Sequence, residues 1–137
     1  MRAWLLSLLL LVAGAGCLWR SYAEVMRVHL DVLAGMADKA AFNAEHDVRP
    51  SSNDVTELTY PLERARQFAY QYRSYAERES YRQFVAALDR YEALVKVIDA
   101  ARGDAARWSA ERGRVAELNA AWREAAQQTR TALEHEV

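Results

Sequence analysis

Apolar residues recur at intervals of three and four along nearly the whole chain, and few residues interrupt them. Leu58, Leu62, Ala65, Ala69, Tyr72 and Ala76 form one such series; Phe84, Leu88, Tyr91, Val95 and Ile98 form the next. That spacing keeps one face of an α-helix apolar, whereas a half-buried strand needs strict alternation. Two prolines and five glycines in 137 residues leave little punctuation, and continuous Val/Ile/Thr runs of strand type are absent. The pattern predicts an all-α chain built from long helices.

Before the first of these series, an upstream stripe runs from Tyr22 through Met26, Leu30, Leu33 and Ala37 to Ala44. It predicts a helix over 21–46, ended by the turn chemistry of "HDVRPSSND". Asp54 and Glu57 resemble a capping box, and Pro61 suits a first helical turn. The two strong series then read as one helix over 61–101, with the offset between them taken as a skip in a heptad repeat. Gly103 and Asp104 supply a stop and a new N-cap. A last helix over 105–135 carries Trp108, Val115, Leu118, Trp122, Ala125 and Thr129 on one stripe, with Gly113 as its weak point. Short connections make neighbours antiparallel. The expected architecture is an N-terminal membrane anchor or signal helix (1–20), then a helical domain (21–137) forming an elongated antiparallel three-helix bundle or coiled-coil hairpin. Its middle helix, the longest, is expected to project beyond its neighbours or to find a partner in another chain.

The N-terminus decides the compartment. Arg2 precedes an apolar run from Ala3 to Val12, and small residues follow at Ala13–Gly16, in outline an export signal. Ala13-Gly14-Ala15 satisfies the small-x-small rule for cleavage. Ala13-Gly14-Ala15-Gly16-Cys17 resembles the lipobox of bacterial lipoproteins, which implies lipidation of Cys17; Gly14 stands where that motif usually has a large aliphatic residue. Alternatively, Ala3–Trp19 is an uncleaved anchor of about 17 apolar residues, at the short end of a bilayer span, with Trp4 and Trp19 at its interfaces. Each of the last two readings attaches the chain to a membrane. The body is expected on the exported side, at the periplasmic face of the inner membrane, or at the outer membrane if lipidated.

Chemistry-bearing motifs are lacking. Cys17 is the single cysteine, so neither an intramolecular disulfide nor a CxxC pair can form. His29, His46 and His135 are scattered, no Glu-x-x-His spacing exists, and no phosphate loop or nucleophile elbow is present. No catalytic residue, metal site or cofactor is expected, and the chain reads as non-enzymatic. The net charge of −1 gives no bias toward nucleic acid. The one stretch suggestive of recognition is "RARQFAYQYRSYAERESYRQF", residues 64–84, where Arg66, Phe68, Tyr70, Tyr72, Arg73, Tyr75 and Tyr81 interleave aromatics with arginines. Tyr and Arg are favoured at interfaces, although a helix packed between two others would have the same composition. The expectation is a membrane-tethered helical protein-interaction factor of the bacterial cell envelope: an adaptor, assembly factor or accessory subunit meeting another envelope protein through helix–helix contacts. A tethered bundle binding a small ligand and a self-associating structural coiled coil, hence a homo-oligomer, are the alternatives.

Overall fold

The computed structural model describes the backbone of residues 2–136 and the side chains of residues 19–136. The chain is all-helical: α1 (Arg2–Glu45), α2 (Ser52–Gln71), α3 (Glu79–Ala101) and α4 (Ala105–His135), with one 3₁₀ turn at Arg73–Tyr75. The expected anchor over 1–20, with Trp4 and the lipidation candidate Cys17, lies all but wholly outside the residues whose side chains are described. Among the described residues, no helix is long and apolar enough to cross a membrane.

Four helices replace the expected three. The helix read over 61–101 is two helices, α2 and α3, joined by a reversal at 72–78. Tyr81 Oη donates to the Ala69 carbonyl at 2.7 Å, and Tyr91 Oη donates to the Leu58 carbonyl at 2.8 Å. These pairings run in opposite senses along the two helices, so α3 folds back on α2. The offset between Ala76 and Phe84 is therefore the turn of a hairpin. Halving the long helix also removes the length mismatch that would have left part of it projecting.

Similar pairs fix the remaining contacts. Lys39 meets Glu57 and His29 meets Phe68, making α1 antiparallel to α2. Asp31 meets Arg130 and Asp38 meets Asn119, making α4 antiparallel to α1. Helices α1 and α3 each pack on α2 and α4, which is an up-down-up-down four-helix bundle. Its core runs along the axis through Met26, Leu30 and Leu33 of α1, Leu62 and Phe68 of α2, Phe84, Leu88 and Tyr91 of α3, and Val115, Trp122 and Leu133 of α4.

Helix ends show why the boundaries fall where they do. α2 starts nine residues before Pro61, because Ser51 and Asp54, rather than Asp54 and Glu57, form the capping box: Asp54 N donates to Ser51 Oγ while Ser51 N donates to the Asp54 carboxylate. Such a cap is worth about 1 kcal/mol, and the Ser51 amide holds the Asp54 carboxyl below its usual range. Pro61 thus sits inside α2 and deprives the Glu57 carbonyl of its helical donor. At the end of α1, Asp47 adopts a left-handed conformation with φ 56°, which Asp tolerates better than most residues. Its carboxylate accepts from Trp108 Nε1 at 3.1 Å, and Arg112 of α4 donates to the Ala44 carbonyl. Asp104 caps α4 as the sequence implies, accepting from the Arg107 amide, and Gly113 does not interrupt that helix.

Candidate functional site

The residues of the 64–84 stretch fold back on one another at one end of the bundle. Phe68 is buried and its ring meets Tyr72 at 4.8 Å and the edge of Phe84 at 5.6 Å. Tyr75 stacks on Tyr22 of α1 at 4.5 Å, and Trp19 lies beside both, 5.2 Å from Tyr22 and 6.2 Å from Tyr75. Arg78 lays its guanidinium 4.3 Å from the Trp19 ring. Tyr81 is tied to the Ala69 carbonyl, and Arg66 donates to Asp89 and Glu92 of α3. Only Tyr70 and Arg73 of the seven turn outward, with the Arg73 guanidinium over the Tyr70 ring. The pattern is largely used within the chain, to close the hairpin over α1.

Two further residues of this end, Ser80 and Glu136, carry no local sequence signal. Ser80 is fully buried; its amide and hydroxyl both donate to the Glu136 carboxylate, and its oxygen accepts from Tyr22 Oη at 2.8 Å. A carboxylate from the last turn of the chain thus caps the N-terminus of α3, where negative charge is favoured.

Burial pushes the Tyr22 phenol up to about 12, the Ser80 bond opposing it, and burial raises Tyr91 further. An unfolded tyrosine ionises near pH 10. Both phenols therefore contribute fully to stability below pH 10. Above it the unfolded chain releases protons that the folded chain retains, so stability falls by about 1.4 kcal/mol per pH unit for each tyrosine. Urea midpoints are expected to drop steadily between pH 10 and 11.5, with a shallower slope in Tyr91→Phe. An unchanged slope in that variant would contradict the burial of Tyr91.

A second surface was not anticipated from the sequence. α1 is apolar on two opposite sides: one side fills the core, while Val25, Val28, Val32 and Phe42 face outward at 38, 58, 46 and 57% exposure. Between this outer face and α2 lies an open groove of about 620 Å³, with Val28, Val32 and Met36 on one wall and Tyr60, Pro61 and Arg64 on the other. His29 lies at its base, its ring 5.1 Å from Phe68. Burial, and then the nearby Arg64 charge, hold the imidazole below its ordinary pKa, favouring the neutral ring. The Lys39–Glu57 ion pair, 3.3 Å long, stands at the rim. Largely apolar walls, with Arg64 on one of them and the Lys39–Glu57 pair at the rim, suit the side chains of another helix. Among the described residues, no group of three or more His, Cys, Asp or Glu side chains is placed to hold a metal. The chain matches no family model, no curated protein and no solved structure.

Proposed function

We propose that this protein is a membrane-tethered helical interaction factor of the bacterial envelope, non-enzymatic, with its bundle on the exported side, working through the outer face of α1. The observation carrying this reading is the two-sidedness of α1. A helix whose inner stripe already fills the core has no folding reason to present Val25, Val28, Val32 and Phe42 to water; burying what remains exposed of each such side chain is worth about 1 kcal/mol to a partner. The same helix begins at Arg2, so the apolar N-terminal sequence leads into this face with no intervening linker. The end of the bundle level with Trp19 carries Trp, Tyr and Arg side chains, the residue types that suit a membrane–water boundary.

The test is the double substitution Val28→Glu and Val32→Glu in the full-length chain, extracted gently from membranes and weighed by native mass spectrometry. Both positions are exposed, so the melt is expected to stay within about 1 kcal/mol of the unsubstituted protein. Its assemblies are expected to fall apart to single chains. Assemblies that persist with the double substitution would retire the reading.

A further inference from the structure

The outer face of α1 has the spacing of a coiled-coil seam. Val25, Val28, Val32, Gly35, Lys39 and Phe42 alternate by three and four, the a and d positions of three successive heptads. All six are exposed. A Cβ built on Gly35 would meet nothing within 4 Å, so the seam is open at its middle. The inner stripe of α1 occupies the opposite b and f positions, at Met26, Leu30, Leu33, Ala37 and Ala44. Helix α1 therefore serves the bundle and the seam with different residues.

We propose that α1 pairs through this seam with α1 of a second copy of the chain, parallel and in register. The inference rests on the membrane-tethered interaction reading above and names its partner. Three observations select that occupant. The g positions flanking the seam are all acidic, at Glu24, Asp31, Asp38 and Glu45, while the e positions are His29, Met36 and Asn43. In a parallel pair each g residue faces the following e residue of the other copy, so Glu24 approaches His29 and no acid approaches an acid. An antiparallel pair would bring acid rows together. One of these acids, Asp31, is already paired with Arg130 of α4, and Asp38 accepts a hydrogen bond from the neutral Asn119 amide. Lys39, the polar a position, comes already paired with Glu57; a single polar a position fixes register at a cost in stability. Finally, the same register extends upstream in the sequence through Leu11, Gly14 and Leu18, with Ser21 as its one polar position between Leu11 and Val25. Two copies entering one membrane from the same side meet in parallel, and valine at a positions favours two strands.

The experiment places cysteine singly at Val25, Val28, Val32 and Phe42 of the full-length chain in its membrane, with Arg27→Cys and Glu117→Cys as positions off the seam. The unsubstituted chain, with Cys17 alone, gives the background. Mild oxidation is expected to give a disulfide-linked band of twice the chain mass at all four seam positions, at least about fivefold above the off-seam positions. Linking at only one seam position would mean antiparallel crossing and overturns the proposal. So does equal linking at all six. A photoreactive phenylalanine analogue at Val32 separates the two levels of the argument. If it captures one different chain of defined mass and no second copy, self-pairing falls and the interaction reading stands. If it captures neither, both fall.

Discussion

Trp122→Ala is expected to cost about 3–5 kcal/mol, the range for deleting a fully buried tryptophan. The indole has no solvent exposure and meets the Tyr91 ring edge-on, centroids 5.4 Å apart at 74°. Losing that pair adds about 0.5–1.5 kcal/mol beyond the buried area. Since a domain of this size holds only about 5–15 kcal/mol in total, the variant should be partly unfolded at 37 °C, its urea midpoint roughly halved. Trp122→Phe should behave differently. Trp122 Nε1 has no acceptor among the described residues, and an unserved buried donor costs about 1–3 kcal/mol. Phenylalanine keeps most of the packing and removes that donor, so its loss is expected to stay below about 2 kcal/mol. Equal losses in both variants would mean that the N–H is satisfied and valuable, contrary to the geometry here.

How much of this was legible beforehand depends on where each helix finds its caps. The last helix, which the spacing predicts over 105–135, is found there, because Asp104 caps it from within the local sequence. The end of α1 was placed near His46 and falls at Glu45, where Pro50 and the polar run leave no alternative. The reversal at 72–78 was missed because it contains neither Gly nor Pro, and because the apolar spacing on both sides is good. Its stop is tertiary: Glu136, 56 residues away from Ser80, caps the start of α3. The aromatic-arginine stretch leaves its role open in the sequence for a related reason. A hairpin closing over α1 needs large side chains with polar tips, and that composition is also the composition of an interface. Pro61 misled, since a serine and an aspartate ten and seven residues before it form a better start than proline does.

The outer face of α1 was present in the sequence all along, hidden by the stronger inner stripe. Val28 and Leu30 are two residues apart and differ little in hydrophobicity, yet one is 58% exposed and the other fully buried. This gives a sharp pair of expectations. Leu30→Glu puts a carboxylate into the core with no partner, and such a change costs more than about 4 kcal/mol. It should abolish the cooperative melt or leave a collapsed chain without fixed packing. Val28→Glu changes an exposed site beside Glu24 and Asp31, and is expected to move stability by no more than about 0.5 kcal/mol. The measurement is circular dichroism melting of both variants, followed by native mass spectrometry on whichever folds. Val28→Glu should keep a cooperative melt, lowered only by the stabilisation that pairing itself adds, and yet appear as single copies, because each added carboxylate faces its equivalent across the seam. If Val28→Glu unfolds the protein as Leu30→Glu does, the outer face of α1 is core, and there is no free surface there to receive a second copy.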